Sequence, residues 1–133
     1  LGTYLREVGT DLYDGAIHFD LAEGIRITTD RAIPLALVVT ELVTNSMKYA
    51  YPNRETGPVQ IRLASASDDR LEVSVADEGV GFPEDFDPGT TRGLGMRLVR
   101  AFAQRLNASL QFRRRHPGAE VAITLPREES EAG

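Results

Sequence analysis

The sequence predicts an α/β two-layer sandwich in which a mixed sheet of about five strands carries three helices on one face. Three segments repeat apolar residues at the spacing of an amphipathic helix, and shorter segments between them alternate apolar and polar residues as half-buried strands do. At 133 residues the chain is long enough for one domain with a substantial core. These patterns indicate one domain that combines helices and strands.

Composition narrows the classes of function. The chain has 41% hydrophobic and 26% charged residues, as globular domains do. Its net charge of -5 argues against a general nucleic-acid or lipid-surface binder, which needs a basic excess. The lack of cysteine excludes disulfides, thiolate metal sites and cysteine nucleophiles. No apolar run approaches the ~20 residues that span a bilayer, so we expect no direct membrane contact. The domain is expected to be cytoplasmic, in a parent protein that is either soluble or membrane-anchored.

Helical periodicity predicts helices at residues 1–14, 30–50 and 94–107. Asp30 is expected to cap the long second helix at its N-terminus. Strands are predicted as a hairpin of Ala16–Leu21 with Ile25–Thr28, an antiparallel pair of Val59–Ala64 with Leu71–Ala76, and a closing hairpin of Ala108–Arg113 with Glu120–Leu125. Residues 127–133 are expected to form a charged, frayed tail.

A polar stripe runs along the second predicted helix. Helical spacing places Glu41, Asn45 and Lys48 on one narrow face. The remaining surface is a wide apolar arc that must face a core, made of Leu35, Val39, Leu42, Val43, Met47 and Ala50. One carboxylate, one amide and one ammonium group are able to hold a hydrated metal ion and a phosphate chain. A solvated face with an incidental asparagine is the alternative.

A second unusual feature follows the strand that ends near Ala76. The run Asp77–Pro83 places an aspartate at the rim of the sheet, followed by Gly79 and Gly81. The glycines permit positive φ and a close approach of the backbone to a ligand. The carboxylate could accept a hydrogen bond from an amino group, although an ordinary Asp-x-Gly turn also fits.

The third feature is a glycine-rich entry to the last helix. Residues 83–92 have no periodicity and are expected to form a mobile loop that leads into Gly93–Met96. Free N–H groups and the helix dipole at such an entry suit phosphate. The sequence contains neither the Gly-x-x-x-x-Gly-Lys-Ser/Thr motif nor a Gly-x-Gly-x-x-Gly motif after an opening strand, which are the two standard phosphate-binding fingerprints. His18 and His116 lie far apart in unlike contexts, so a histidine-rich zinc site is not expected, and a structural role fits His18 better than a catalytic one.

These three features, in this order and spacing, resemble the ATP-binding catalytic domain of sensor histidine kinases, which has the Bergerat fold of the superfamily shared by gyrase, MutL and heat-shock chaperone ATPases. The resemblance extends from about Ala16 to Pro126, and 16–126 is taken as the domain. Glu41–Ala50 looks like the N box, Asp77–Gly81 the first glycine box and Gly93–Met96 the second. The run Glu-Leu-Val-Thr-Asn with Lys-Tyr-Ala, and the short loop at 83–92 that corresponds to the family's lid, look most like the HWE/HisKA-2 subgroup.

The resemblance implies a site for ATP or ADP with Mg²⁺. By analogy, Asn45 coordinates Mg²⁺, Glu41 orients a metal-bound water or polarises the reacting group, and Lys48 reaches the phosphates. Asp77 accepts the adenine amino group. The other implied nucleotide-binding residues are Tyr49, Gly79, Gly81, Phe82, Gly93, Leu94, Gly95 and Met96. Arg92 and Arg97 are either phosphate contacts or surface arginines. Ala119 stands where relatives often carry Thr or Ser, which implies one fewer contact near the base.

The implied function is transfer of the γ-phosphoryl group of Mg-ATP to a histidine on an upstream dimerisation domain, which then passes it to a response regulator. Neither His18 nor His116 resembles the phosphoacceptor, so we expect that histidine outside this chain, with residues 1–15 as the end of the connection to it. Two alternatives share the same boxes: a serine kinase that binds a sigma factor, and a module that binds ATP without transferring phosphate.

Overall fold

A computed structural model of the protein describes residues 17–22, 25, 27–49, 58–81, 94–115 and 117–127, with the backbone alone at 47–49 and 94–96. The described residues form seven elements. In chain order these are β1 (Ile17–Leu21), α1 (Thr29–Tyr49), β2 (Val59–Ser67), β3 (Arg70–Asp77), α2 (Leu94–Arg105), β4 (Ser109–Arg114) and β5 (Ala119–Pro126). The helix predicted at residues 1–14 lies outside the described residues.

The five strands form one mixed sheet in the order β1-β2-β3-β5-β4. β1 and β2 are parallel, and the other neighbouring pairs are antiparallel. Parallel neighbours require a crossover connection, and α1 lies on the chain between β1 and β2. The predicted α/β class and mixed five-stranded sheet are therefore confirmed, as are the antiparallel pairings of β2 with β3 and β4 with β5.

The predicted hairpin of Ala16–Leu21 with Ile25–Thr28 is wrong. Ile25, Ile27 and Thr28 are not in a strand, and β1 pairs with β2 instead. Ile25 and Ile27 both pack against the hydrophobic core. Their alternating apolar pattern therefore reflects contact with the core just before α1, and not pairing with β1.

The caps of the two helices also differ from the prediction. The carbonyl of Thr28 accepts the N–H of Ala32 at 2.9 Å, so Thr28, and not Asp30, is the N-cap of α1. Asp30 lies in the first turn, where its charge is favourable to the helix dipole. α2 ends at Arg105, two residues before the predicted end, because Asn107 has a φ of 53°. The N–H of Ala108 then bonds to the carbonyl of Ala103 at 2.8 Å, which closes the helix and turns the chain into β4.

The core lies between the two helices and one face of the sheet. The side chains Leu35, Val39, Leu42 and Val43 of the predicted apolar arc are all buried there. They pack with Val99 of α2 and with Leu106 just after that helix. They also pack with alternate residues of the strands, namely Val59, Ile61, Leu63, Leu71, Val73, Val75, Ile123 and Leu125. Neither described helix combines the length and apolar character needed to cross a bilayer.

The opposite face of the sheet is polar. Arg113 Nη2 donates to Glu72 Oε1 at 2.8 Å, and its Nη1 lies 3.7 Å from Glu120 Oε1. The hydrogen bond to Glu72 is the main cause that raises the pKa of the Arg113 guanidinium above its ordinary value. Arg113 is the first of three consecutive arginines. Its pairing with two carboxylates is typical of an ordinary surface strand.

Candidate functional site

One end of the sheet collects the chemistry-bearing segments, and we call it the site end. It is the end where β3 finishes at Asp77 and β2 begins at Val59, since these residues are partners in the register. β4 finishes and β5 begins there too, because Arg114 pairs with Ala119 and Glu120 pairs with Ala76. Directly opposed residues of an antiparallel pair lie on the same face, so Asp77 lies on the helix-covered face with the buried Val59.

The C-terminal half of α1 lies at the site end. β1 and β2 both start there and are parallel, so the connecting helix must return toward that end. α1 packs against both β2 and β3. Asn45 is four residues before the helix end, and the side chains of Glu41 and Asn45 are half-buried. The polar stripe predicted on α1 therefore approaches the same end of the sheet as Asp77.

The N-terminus of α2 lies at the site end as well. Arg31 Nη2, in the first turns of α1, donates to the carbonyl of Leu106 at 3.2 Å, so the end of α2 lies beside the start of α1. β4 follows at once and begins at the far end of the sheet, with Ser109 opposite Thr124. A 12-residue helix is about 18 Å long and returns to the site end at its first residue, Leu94. The backbone of Leu94, Gly95 and Met96 thus begins α2 at the site end, where the part of α1 that contains Asn45 also lies.

Asp77 is the most constrained side chain of the site end. It is only 5% exposed. Its Oδ1 accepts the N–H of Gly79 at 3.0 Å and the N–H of Ala119 at 3.2 Å. The first bond is the Asp-x-Gly turn that the sequence suggested, and the second reaches across to β5. Two main-chain donors therefore hold a buried carboxylate at the end of a strand, where charge-assisted hydrogen bonds are strong.

Two glycines permit this arrangement. Gly81 has a φ of 77° and Gly118 a φ of 109°, conformations that side chains disfavour. A Cβ on Gly118 would lie 2.0 Å from the carbonyl oxygen of Asp77, and one on Gly81 would lie 2.9 Å from the carbonyl oxygen of Gly118. The loop after β3 and the hairpin between β4 and β5 are thus in backbone contact. The role predicted for Gly81, close approach at positive φ, fits this geometry, although the neighbour observed is protein.

A cavity of about 300 Å³ opens at the site end on the polar face of the sheet, since His18, Gln60 and Ala76 face away from the helices. It is lined by His18, Pro58, Val59, Gln60, Ala76, Asp77, Glu78 and Arg115. His18 is exposed on β1 opposite Gln60, so it contributes to the wall of this cavity. Among the described residues, no three acidic or histidine side chains are grouped to hold a metal ion. A site based on the Asn45 amide fits Mg²⁺, which commonly takes one or two protein ligands with waters and phosphate oxygens.

The structure brings some of the predicted site residues together and does not describe others. Asn45, Glu41, Asp77, Gly79 and Gly81 belong to the site end, as does the backbone of residues 94–96. The side chains of Lys48, Tyr49, Leu94 and Met96 are not described, and Phe82, Gly93, Arg92, His116 and the predicted loop at 83–92 lie outside the described residues. Arg97 is exposed on α2.

The sequence analysis missed the contribution of the hairpin between β4 and β5. The sequence analysis assigned no role to Gly118 in the closing hairpin, and it considered Ala119 only as a departure from a related pattern. Both residues contribute through backbone atoms, so the identity of their side chains gives no indication of this role. The signal that was available is the Pro117-Gly118 pair just before a strand, which marks a tight turn but not its contact with Asp77.

Comparison with known proteins places this geometry in context. Residues 16–125 match the family described as Histidine kinase-like ATPase domain. Blue-light-activated histidine kinase 2 of Erythrobacter litoralis is 34% identical over 131 residues, which cover 95% of this chain and 38% of that protein. Serine-protein kinase RsbW of Bacillus subtilis is 32% identical over 129 residues, which cover 84% of this chain and 77% of that protein.

Among solved structures, the histidine kinase domain of the Erythrobacter litoralis EL346 blue-light-activated histidine kinase superposes with a TM-score of 0.81 at 33% identity. The match covers 98% of this chain and 63% of that one. The chain thus spans less than two thirds of these histidine kinase relatives, while it matches most of the shorter serine kinase.

Proposed function

Because this chain belongs to the Histidine kinase-like ATPase domain family, we propose that it binds Mg-ATP at the site end and delivers the γ-phosphoryl group to a histidine on a separate helical segment. That histidine would pass the group on to an aspartate of a response regulator. The observation that carries the proposal is Asp77, a buried carboxylate fixed at the end of β3 where the stripe of α1 and the N-terminus of α2 also lie.

In this proposal, one group of residues binds the adenine base and another group binds the phosphates and the metal ion. Asp77 accepts the amino group of adenine. At the other side of the nucleotide, Asn45 would hold Mg²⁺, which would supply positive charge near the transferred group. Glu41, one helical turn before Asn45, would orient a water at that ion or polarise the acceptor. The N–H groups in the first turn of α2, which have no acceptor within the helix, receive phosphate oxygens, as helix N-termini commonly do. Lys48 adds a positive charge from the same stripe of α1.

The serine kinase alternative is favoured by one observation: the match to RsbW covers 77% of that protein. Both candidates predict the same nucleotide site and differ in the acceptor. Phosphohistidine is labile to acid, whereas phosphoserine is stable. Label transferred from γ-labelled ATP to an added partner therefore separates the two by a wash in acid.

Nucleotide binding is tested by titrating the chain with ATP, ADP and GTP, each with and without Mg²⁺. A ligand that binds only the folded state raises the free energy of unfolding by ~2.7 kcal/mol at a hundredfold excess over Kd. We expect ATP and ADP to raise the melting temperature, Mg²⁺ to strengthen ATP, and GTP to have little effect. A melting temperature that no adenine nucleotide changes would contradict the proposal.

Phosphoryl transfer is tested on the chain alone and with a helical segment that bears the acceptor histidine. Transfer needs the acceptor in line with the γ-phosphoryl at near-attack distance. We expect no label on the isolated chain and slow transfer to the added segment, because tethering normally supplies the effective concentration. Acid-labile label on His18 or His116 would contradict the assignment of an external acceptor.

A further inference from the structure

The two oxygens of the Asp77 carboxylate are in different environments. Oδ1 accepts both main-chain N–H groups, from Gly79 and from Ala119. Among the described residues, Oδ2 accepts no hydrogen bond. A side chain that is 95% buried and held through one oxygen presents the other oxygen in a fixed place. Oδ2 is therefore the atom that remains to bind a ligand.

The two donors cannot readily turn away. Gly79 is only two residues from Asp77, and the N–H of Ala119 is fixed by the pairing of Ala119 with Arg114 at the start of β5. The hairpin backbone at Gly118 lies very close to Asp77. A Cβ on Gly118 would lie only 2.0 Å from the Asp77 carbonyl oxygen. Any side chain at position 77 must consequently place an acceptor where Oδ1 now lies.

An asparagine at this position has one acceptor and two donors on its amide. Its oxygen must face the two N–H groups, since its NH₂ group there would bury donors against donors without partners. The NH₂ group then occupies the place of Oδ2. The backbone thus dictates which way an amide would point, and the group offered to a base changes from acceptor to donor.

We infer that the backbone amides of Gly79 and Ala119 determine the base preference of this site by fixing the orientation of side chain 77. An aspartate then selects a purine with an amino group at position 6, and an asparagine selects one with an oxygen there. The inference rests on the proposed adenine-nucleotide function. Gly79 and Ala119 are positioning residues in it, because they act through residue 77.

The test compares ATP with ITP, which has an oxygen in place of the amino group at position 6 and therefore a proton on the neighbouring N1. We expect the wild-type chain to bind Mg-ATP about 10- to 100-fold more tightly than Mg-ITP, and Asp77→Asn to reverse that order. Calorimetry measures both affinities, and circular dichroism checks that the variant is folded. The matched control is Asp20→Asn, which changes an exposed carboxylate on β1 and should keep the wild-type preference.

Each outcome has one meaning. If the wild-type chain binds no adenine nucleotide, the proposed function itself is contradicted. A wild-type preference for ATP with a folded Asp77→Asn variant that loses both nucleotides equally, or still prefers ATP, overturns the inference and leaves the proposed function standing.

Hydrogen exchange of the wild-type chain supplies a second measurement that does not depend on how the variant folds. The amides of Gly79 and Ala119 should exchange more slowly than that of Val80, which has no hydrogen bond among the described residues. Exchange of Gly79 as fast as Val80 would show that the carboxylate does not hold it, and would overturn the inference.

Discussion

Two aspartates bracket β3, and they have different roles. Asp69 precedes the strand in the turn from β2, where its Oδ1 accepts the hydroxyl of Ser67 at 2.9 Å in an exposed setting. Asp77 ends the strand in a buried setting, with two main-chain N–H groups on one oxygen. The same side chain is thus a turn former at one end and a fixed acceptor at the other.

The comparison shows that the surroundings, and not the residue type, decide what the carboxylate can do. Water can replace the hydroxyl that faces Asp69, because that turn is exposed. Nothing but the carboxylate satisfies the described donors at Asp77, and the glycines that bring them there tolerate no side chain without strain. Substitutions at the two ends should therefore have unequal effects.

The largest effect is expected at Gly118. Gly118→Ala should lower the free energy of unfolding by about 3–5 kcal/mol, because the new Cβ would overlap the Asp77 carbonyl oxygen and an alanine is strained at a φ of 109°. Urea unfolding measures the change. The control is Ala119→Gly, which keeps the N–H group and should cost about 0.5–1 kcal/mol. Equal losses in the two variants would mean that the close approach at Gly118 is unimportant.

Removal of the carboxylate comes next. Asp77→Ala should lower the free energy of unfolding by about 2–4 kcal/mol, since it leaves the N–H groups of Gly79 and Ala119 without their acceptor. It should also abolish detectable binding of ATP. Urea unfolding and calorimetry measure the two effects. A variant as stable as the wild-type chain would show that the two N–H groups find other partners.

A smaller and more selective effect is expected on α1. Asn45→Ala should reduce the strengthening of ATP binding by Mg²⁺ about tenfold while leaving much of the metal-free affinity, because an amide ligand is lost and the base contact is kept. Paired calorimetric titrations with Mg²⁺ and with a chelator measure it. Ser46→Ala, the neighbouring half-buried position, is the control. If ATP binding in the wild-type chain never depends on Mg²⁺, the role given to Asn45 is wrong.

The smallest effect is expected at the opposite end of β3. Asp69→Ala removes only the exposed bond from Ser67 and should change the free energy of unfolding by about 0.5 kcal/mol, with ATP affinity unchanged. The same urea and calorimetric measurements apply. A loss as large as that of Asp77→Ala would end the distinction between the two aspartates.

Periodicity was sufficient to predict most of the fold. The apolar arc of α1 and the alternation of β2, β3 and β5 follow directly from which side chains the core requires. The parallel pairing of β1 with β2 could not be predicted from local signals, because no turn joins the two strands. The strand predicted at Ile25–Thr28 was wrong for the same reason. Two apolar residues separated by one position give the same sequence pattern in a paired strand and in an irregular segment that packs on the core.

The part of the candidate site that the sequence predicts is the part carried by side chains. Asn45 and Asp77 carry their chemistry in the residue type and lie at the same end of the sheet. The second hydrogen bond to Asp77 comes from the backbone of Ala119, and any residue except proline would supply the same donor. Such a contact leaves no trace in composition or spacing, which is why the hairpin between β4 and β5 was overlooked.

The strand order has a consequence for synthesis on the ribosome. β5 is the last strand along the described chain, yet it is inserted between β3 and β4. Until residues 119–126 emerge, β3 has one unpaired edge and Asp77 lacks the second of its two donors, which lies 42 residues farther along. A nascent chain therefore cannot complete the described sheet strand by strand. The arrival of β5 joins β4 to the sheet and supplies the second hydrogen bond to Asp77 at the same time.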